Sequence, residues 1–461
     1  MAFLNESHTR SFFGREKLLR EIVQGVLAAQ PMDFALVAPK FCGKTRLLDH
    51  LASAEGPLRG ELGASWRPMR FQDQNRVVVV LIDCNWPGAK QNLLAYLADR
   101  LREEIEEQKP FRVDWNQVNQ EVSASQQLRL LAGEATQQGF RIVMLLNNFD
   151  AVLQEELLSQ VELNELRPLT TELALVVATR QPLHDIDQEL ASSPLFNVLR
   201  PLFVGLLEHE AAAAWIAAYR QDFPELAEKL TEPLIEITGG HPFLLARLRE
   251  TLLEVQKMLP AGKRIDRADF ALIELRLAEH GRLLFESLAQ TLEAPPERIA
   301  GQAVETLLSA LTDNPVPVKS ITPDQNAAIN WLINQAVVVY REQEYRLFTP
   351  LFASFLRHRR QTPDTSRPAP STRIITRVET DNSYTRLPRM EADLLSYLRA
   401  HANEVVSPEE LLTQVWKLPA TTSPRRVQEA IRRLRNHLKD EAEPIGIIEN
   451  ERGQGYRFVP L

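Results

Sequence analysis

The chain has 461 residues, of which 44% are hydrophobic and 25% charged, and its formal net charge at pH 7 is −8. This is the composition of an ordinary globular protein, and at roughly 150 residues per domain the length predicts about three domains. The two cysteines, Cys42 and Cys84, exclude a disulfide framework. No stretch approaches the roughly 18 apolar residues of a membrane helix, and the start MAFLNESHTR lacks the basic-then-apolar order of a signal peptide. We therefore expect a cytoplasmic protein without a membrane partner.

The first motif along the chain is a strand, a glycine-containing loop and a helix. An apolar strand is predicted at 34–37, and an amphipathic helix follows the loop. The loop and the helix start comprise Ala38, Pro39, Lys40, Phe41, Cys42, Gly43, Lys44 and Thr45. In this P-loop pattern, backbone amides cradle the β-phosphate of a nucleotide, the lysine reaches the β and γ oxygens, and the threonine ligates magnesium. The motif predicts a site for ATP or ADP, with Mg²⁺ held by Thr45 and the nucleotide.

The strand expected to carry the catalytic carboxylates lacks them. An apolar run at 141–146 ends in Asn147 and Asn148, where an acidic pair would hold magnesium through water and activate the attacking water. An amide has no charge to offset the metal and cannot act as a general base. Asp150, two residues further on, is a candidate to replace the metal ligand in part, but it begins the next predicted helix and is expected to point elsewhere. We expect nucleotide binding without efficient ATPase activity. Two alternatives stay open, another carboxylate that completes the site and a relic pocket that binds nothing.

Three further motifs accompany this loop. FFGRE at 12–16 precedes the first long helix, ATR at 178–180 closes the next strand, and GGHP at 239–242 opens a helix. Together with the loop, they resemble the STAND class of signalling ATPases within the AAA+ superfamily, close to the archaeal-type ATPases. The resemblance implies that Arg15 lies near the base pocket and that Arg180 occupies a sensor position. It also implies that His241 and Pro242 contact the β-phosphate side of bound ADP.

The region that follows is predicted to form a second, smaller domain. Helical runs within 258–359 precede two short strands, at 336–340 and 345–348. In STAND proteins a winged helix follows the ATPase core and locks the inactive ADP state, so the resemblance implies a packing winged-helix domain here. The strands carry few arginines, which favours a domain that packs against the rest of the protein. The alternative is that this domain forms a second DNA-reading surface. The proline-rich segment 360–372 is predicted to be a linker.

The C-terminal region contains an arginine-rich helix followed by a hairpin pattern. Between Arg425 and Lys439 there are six basic residues and one acidic residue, while apolar residues repeat at helical spacing. Ser423 is placed as the N-cap, with Pro424 at the first helical position. PIGIIENERGQGYRF at 444–458 predicts two strands joined by a glycine-containing turn. One helix face is predicted to pack and the other to meet DNA.

RRLR at 432–435 and RGQGYRF at 452–458, together with the helical pattern upstream of them, carry a second resemblance. Residues 373–461 resemble the OmpR/PhoB-type effector domain of bacterial response regulators. The resemblance implies that the domain binds double-stranded DNA, with homo-oligomers sitting head to tail on direct repeats. The residues that it places on the DNA are Arg425, Arg426, Arg432, Arg433, Arg435, Asn450, Arg452 and Arg457.

Charge counts show how local this basic surface is. Residues 373–461 hold 14 basic and 13 acidic residues, whereas the rest of the chain holds 39 and 48. Affinity for DNA must therefore come from one patch and not from a general basic field.

These features predict an α/β P-loop NTPase core, a parallel sheet with a helical lid, at 1–257, followed by two mainly α winged-helix domains. The predicted function is that of a transcription regulator controlled by ATP or ADP occupancy and by an unknown signalling protein. Two alternatives stay open. One is an active ATP-dependent DNA-loading or remodelling ATPase, and the other is a protein-interaction scaffold of a signalling or defence system.

Overall fold

The computed structural model describes most of residues 12–361 and parts of 394–460. The gaps in the first range are 122, 155–159, 187–192, 221, 224–225, 227, 261–262 and 264. The second range is described at 394–395, 397–398, 401, 405–415, 427, 431, 434, 446–451 and 455–460. The chain divides into two compact units, Met1–Asp364 and Thr365–Leu461.

The first unit is built on a parallel sheet with the strand order β2-β3-β4-β1-β5. The strands are β1 (Asp33–Val37), β2 (Val77–Asp83), β3 (Arg141–Asn147), β4 (Ala174–Thr179) and β5 (Leu199–Phe203). The sequences of β2, β3 and β4 are nearly continuous apolar runs, as expected for parallel strands that are covered on both faces. Because all the strands are parallel, their carboxyl ends meet at one edge of the sheet.

Helices cover both faces of this sheet. In chain order they are α1 (Glu16–Val26), α2 (Lys44–Ala52), α3 (Pro87–Gln91), α4 (Leu93–Gln108), α5 (Trp115–Gln120), α6 (Ala124–Gln137), α7 (Asp150–Gln154), α8 (Gln160–Leu169), α9 (Leu183–Ile186) and α10 (Pro194–Val198). Successive strand residues alternate between two cores, since Leu36 packs with α1 and α2 whereas Val37 packs with α4, α6 and α8. The predicted α/β P-loop NTPase fold is confirmed by this strand order and by the loop between β1 and α2.

A helical lid and a winged helix follow β5 and share one hydrophobic core. The lid consists of α11 (His209–Tyr219), α12 (Thr231–Thr238) and α13 (Pro242–Met258). The helices of the winged-helix region are α14 (Phe270–Glu293), α15 (Gly301–Asp313), α16 (Asn326–Asn334) and α17 (Pro350–Gln361). The strands are β6 (Val316–Pro317), β7 (Val338–Arg341) and β8 (Glu344–Leu347), and the sheet order is β6-β8-β7. The predicted strand start at 336 is shifted, because Ala336 has a φ of 56°, which a strand does not allow. Glu342 and Gln343, with φ of 52° and 66°, form the two-residue turn.

A hydrogen bond to a backbone carbonyl and a close backbone approach also join the winged helix to the lid. The Thr349 hydroxyl donates a hydrogen bond to the carbonyl of Ile237, and both residues are buried. Gly239 follows α12 in the left-handed region, with a φ of 58°, and a Cβ there would lie 2.1 Å from the carbonyl oxygen of Phe348. The lid and the winged helix can approach this closely only because residue 239 has no side chain.

Replacing Gly239 with alanine is expected to destabilise this docking strongly. The methyl group would overlap a carbonyl oxygen and the backbone would be strained, so we expect a loss of about 2 kcal/mol or more and a melting temperature lower by about 3 °C or more. Gly301→Ala is the matched control, because the nearest atom to its Cβ would be 3.8 Å away. Thermal unfolding followed by calorimetry measures both, and equal melting temperatures for the two variants would contradict the docking described.

The second unit has its own small core and sheet. Its described elements are β9 (Val405–Val406), α18 (Pro408–Gln414), β10 (Gly446–Glu451) and β11 (Gly455–Pro460), with the antiparallel order β10-β11-β9. Ser407 caps α18 by accepting a hydrogen bond from the amide of Glu410 at 3.1 Å. Val427, Ile431 and Leu434 lie in the core. The predicted hairpin is thus confirmed, and the three described apolar residues of the arginine-rich segment are buried as predicted, whereas Ser423 and Pro424 lie outside the described residues.

No helix in the described ranges is long and apolar enough to cross a membrane.

Candidate nucleotide-binding site

The loop between β1 and α2 lies at the carboxyl edge of the sheet. The amide of Ala38 donates to the carbonyl of Thr179 at 3.2 Å, which ties the loop to the end of β4. Phe41 and Gly43 have φ of 69° and 82°, so the chain turns sharply before α2 begins at Lys44. The first amides of a helix have no partner within it, so they are available to an anion at this point.

Lys44 is folded back over its own loop. Its Nζ donates to the carbonyl of Ala38 and, at 3.0 Å, to that of Pro39. Burial lowers the pKa of Lys44 to about 8, while the nearby Asp150 carboxylate opposes this effect. Carbonyl oxygens are weaker partners for an ammonium group than phosphate oxygens, so this amine is poised to exchange them for a phosphate.

Arg15 reaches the same loop from the start of α1. The residue is only 6% exposed, and its Nη2 donates to the carbonyl of Cys42 and, at 3.1 Å, to that of Gly205. Its Nη1 is buried without a hydrogen-bond partner. The two terminal nitrogens lie 3.7 and 3.8 Å from the position that a Cβ on Gly43 would occupy. Burial lowers the pKa of Arg15 to about 10. The structure thus places this guanidinium against the loop backbone, while a role at the base stays a prediction.

His241 and Pro242 bring the lid to the loop. The Nδ1 of His241 caps α13 by accepting from the amide of Phe243 at 3.2 Å, so Nε2 carries the proton and lies 3.8 Å from the sulfur of Cys42. Complete burial lowers the pKa of His241 to about 3, and the ring is therefore neutral near pH 7. The Cβ of Pro242 lies 3.9 Å from the position of a Cβ on Gly43. Contact of the GGHP motif with the β-phosphate stays a prediction.

Asn147 and Asn148 lie at the same edge but make different contacts. The amide of Asn147 faces the hydroxyl of Thr45, with Oδ1 and Nδ2 at 3.3 and 3.2 Å from Oγ1. Asn148 has a φ of 54°, which asparagine tolerates, and its Nδ2 donates to a carboxylate oxygen of Asp83 at 2.9 Å. Thr45, predicted to ligate magnesium, is thus paired with a neutral amide.

Asp150 is closer to the loop than the sequence suggests. It begins α7 as predicted, but its buried carboxylate forms an ion pair with Arg180 and lies near enough to Lys44 to raise the pKa of that lysine. Asp150 thus lies near the loop, although its carboxylate is directed at Arg180. Parallel pairing of β3 with β4 is the reason, because it brings the residues after both strands to the same edge.

Sequence reasoning missed Asp83. It ends β2 and is the register partner of Asn147 on β3. The signal was available, since an apolar run at 77–82 ends in this aspartate. Only the pairing of β2 with β3 shows that the Asp83 carboxylate lies within hydrogen-bond distance of Asn148.

In the first unit, α16 precedes the wing of the winged helix, and it lies next to the α/β core. A cavity of about 180 Å³ is lined by Pro182 and Phe203 of the core and by Asn330, Trp331 and Gln335 of α16 and its end, among others. Beside it, Arg298 and Asp185 form a two-pronged ion pair at 2.6 and 2.7 Å. These contacts favour the packing role over a second DNA-reading surface.

Few of the predicted DNA-facing residues fall in the described parts of the second unit. Arg457 lies on β11 opposite Glu449, and Asn450 lies on β10 opposite Tyr456. The remaining ones, Arg425, Arg426, Arg432, Arg433, Arg435 and Arg452, lie outside the described residues.

Comparison with known families decides the nature of the second unit. Residues 382–458 match the family model described as "Transcriptional regulatory protein, C terminal". With the hairpin and the buried helix face, this match gives the chain a winged-helix DNA-binding domain of the transcriptional-regulator type. A comparison with curated proteins finds no significant match.

Several solved structures are similar to the chain. One is a Walker-type ATPase of Pyrococcus abyssi, with 18% identity over 75% of this chain and 96% of that chain and a TM-score of 0.46. Another is the ORC2 protein of Aeropyrum pernix in its ADPNP-ADP complexes, with 10% identity over 78% and 99% of the two chains and a TM-score of 0.42. A third is Cdc6p of Pyrobaculum aerophilum, with 12% identity over 77% and 98% and a TM-score of 0.35. The fold rests on the strand order and the loop, and not on these likenesses.

Proposed function

We propose that the chain is a transcription regulator whose DNA-bound state is set by ATP or ADP in the loop at 38–45, with hydrolysis that is very slow or absent. One observation carries the nucleotide part, the convergence of two buried cationic side chains on this loop. Among the described residues, the side chains of Arg15 and Lys44 donate hydrogen bonds only to backbone carbonyls, while the carboxylates of Glu208 and Asp150 act on their charges without forming an ion pair with them. Buried charge without a direct ion pair is costly, and a phosphate group would supply directly bound negative charge.

The residues present fit a nucleotide. The amides at the start of α2 and the ammonium of Lys44 would bind the β-phosphate, and the absence of a side chain at Gly43 would let the loop backbone approach it. The Nη1 of Arg15 and the Nε2 of His241 are further donors at the same loop. The Nε2–H of this imidazole can donate without adding positive charge, because burial lowers the pKa of His241 to about 3 and the ring is therefore neutral near pH 7.

The surroundings of the loop support slow or absent hydrolysis. General-base activation of a water needs a carboxylate or an imidazole that is free to accept a proton. Asn147 and Asn148 cannot do this, and water activation by Asp83 or Asp150 would compete with the contacts that these carboxylates make to Asn148 and Arg180. These contacts support the proposed lack of efficient ATPase activity.

A continuous path of contacts supports nucleotide control, as in the STAND class. His241 lies beside the loop, and its ring is 5.5 Å from that of Phe348 in the winged helix. Thr349 follows and is hydrogen-bonded to the lid, and α17 begins at Pro350 and is the last described helix before the second unit along the chain. A phosphate that displaces Cys42 or His241 would therefore change the contacts at the start of α17. An unknown signalling protein would act on the same equilibrium, as would assembly of homo-oligomers on DNA.

Selection of DNA fragments tests this proposal. The full-length protein is incubated with fragmented genomic DNA in the presence of ATP, ADP or no nucleotide, and the retained fragments are sequenced. We expect a direct-repeat site to be enriched in one nucleotide state only. Retention without sequence preference would favour the DNA-loading ATPase instead, and no retention in any state would favour the interaction scaffold.

The lowered pKa of Lys44 predicts that affinity for ADP falls as pH rises. Burial holds this pKa at about 8 in the free protein, and a bound phosphate would raise it because it favours the charged amine. Below about pH 8 the amine already carries its proton and affinity is level, whereas above it each pH unit lowers affinity up to about tenfold, since binding then takes up a proton. Titration of a fluorescent ADP analogue between about pH 7 and about pH 9.5 measures this. A Lys44→Arg variant, whose charge does not titrate in that range, should show a flat profile. A flat profile for the unaltered protein would contradict the prediction.

A further inference from the structure

The metal side of the loop is occupied by neutral groups. Magnesium in such a site requires the threonine hydroxyl and negative charge from nearby carboxylates. Here the Thr45 hydroxyl is within hydrogen-bond distance of both atoms of the Asn147 amide. An amide oxygen carries no formal charge, so it cannot offset a divalent cation.

The carboxylates at this edge of the sheet are engaged by other side chains. Asp83 accepts from the amide of Asn148 at 2.9 Å. Asp150 forms its ion pair with Arg180, and its side chain is 2% exposed. A metal at Asp150 would compete with Arg180 for this carboxylate, and a metal at Asp83 would compete with the amide of Asn148. The residues therefore offer a magnesium ion little charge stabilisation.

Positive charge is supplied to the loop by the protein itself. Arg15 is buried, remains charged near pH 7 and has an unpartnered Nη1 that lies 3.8 Å from the position of a Cβ on Gly43. Nη1 can donate to a phosphate oxygen while Nη2 keeps the carbonyls of Cys42 and Gly205, and Lys44 adds a second positive charge. Together these two side chains carry the charge that a magnesium ion would bring.

We propose that this site binds ADP or ATP without a divalent cation, with Arg15 as a phosphate ligand that takes over the charge-neutralising role of the metal. The inference rests on the nucleotide binding proposed above. It adds the form of the ligand, a metal-free nucleotide, and moves Arg15 from the base to the phosphates.

The first test compares ADP binding in magnesium and in excess EDTA. A fluorescent ADP analogue is titrated into the full-length protein under both conditions, and unlabelled ADP is used to displace it. We expect dissociation constants that agree within about twofold. Binding that tightens by about tenfold or more with magnesium would overturn the inference but leave the proposed function intact. Absence of binding under both conditions would remove the proposed function and this inference with it.

Two variants separate a phosphate ligand from a merely structural arginine. Asn147→Asp adds a carboxylate beside Thr45, so ADP should bind about tenfold more weakly in EDTA, and magnesium should restore the affinity. Arg15→Gln should weaken ADP binding in EDTA by about tenfold to a hundredfold, because it removes a charged hydrogen bond. Arg20→Gln is the matched control, since Arg20 lies on α1 but pairs at the surface with Glu16 at 2.9 Å.

The outcomes remain decisive if Arg15→Gln does not fold. Arg15 also holds the carbonyls of Cys42 and Gly205, so a circular-dichroism melting curve is recorded for each variant. If Arg15→Gln is unfolded, the magnesium response of Asn147→Asp carries the test. A folded Arg15→Gln protein with unchanged ADP affinity would overturn the assignment, and so would an Asn147→Asp protein that ignores magnesium.

Discussion

Replacing Lys44 with methionine is expected to lower the affinity for ADP and ATP by about a hundredfold and to make DNA retention independent of nucleotide. Lys44 is the ammonium that the helix start presents to a phosphate, and loss of a charged hydrogen bond of this kind costs about 1.5 to 3 kcal/mol. Methionine keeps the aliphatic part of the buried side chain, so the fold should tolerate the change. Fluorescent ADP titration and the DNA selection measure the two effects.

Lys17→Met is the matched control for this substitution. Lys17 lies on the exposed surface of α1, so its removal changes net charge equally without touching the loop. A Lys44→Met protein that binds ADP as the unaltered chain does would indicate that nucleotide occupies another place or that the loop is a relic. A protein that loses ADP but keeps nucleotide-dependent DNA retention would break the proposed link between the two units.

Replacing Arg432 and Arg433 together with alanine is expected to reduce specific DNA affinity by about a hundredfold to a thousandfold. The OmpR/PhoB resemblance places both side chains on the DNA, and an arginine fork on a base contributes about 1 to 3 kcal/mol. The buried face of this helix includes Val427, Ile431 and Leu434, so truncation at 432 and 433 leaves the core contacts in place. Fluorescence anisotropy with DNA that carries the selected direct repeat measures the affinity. Repeating it at several salt concentrations gives the number of counterions released on binding. If both side chains contact phosphates, the salt slope should become shallower by about two units.

An equal loss of charge elsewhere provides the control. Arg276 and Arg282 lie on α14 and form surface ion pairs with Glu279 and Glu286 at 2.8 and 2.7 Å. Their double replacement by alanine should leave DNA affinity unchanged, because a general basic field does not drive binding in an acidic chain. Equal losses in the two double variants would show that net charge, and not the winged helix, governs DNA binding.

Local patterns were sufficient for the fold class. Buried parallel strands require long apolar runs, and a loop with Gly43 before Lys44 requires a strand on one side and a helix on the other, so these elements could be read from neighbouring residues. The hairpin of the second unit is equally local, because its two strands are adjacent in the chain. Its two described strands lie within the predicted 444–458 segment, apart from the last residues of β11.

The contacts around the loop depended on distant parts of the chain. Arg15 bonds to carbonyls that are 27 and 190 residues away, at Cys42 and Gly205, and no local spacing encodes that convergence. The same holds for Asp150 and Arg180, which meet because β3 and β4 are neighbours in the sheet.

The sequence by itself determined which chemical groups are present, a P-loop lysine, two asparagines in place of carboxylates and an arginine-rich helix before a wing. These follow from short segments whose conformation depends on neighbours along the chain. Only the tertiary structure decided how those groups are partnered, with Arg15 against the loop, Thr45 on Asn147 and Asp83 on Asn148. The physical reason is that strand order and burial, not spacing, determine which polar groups share a pocket and which of them must neutralise one another.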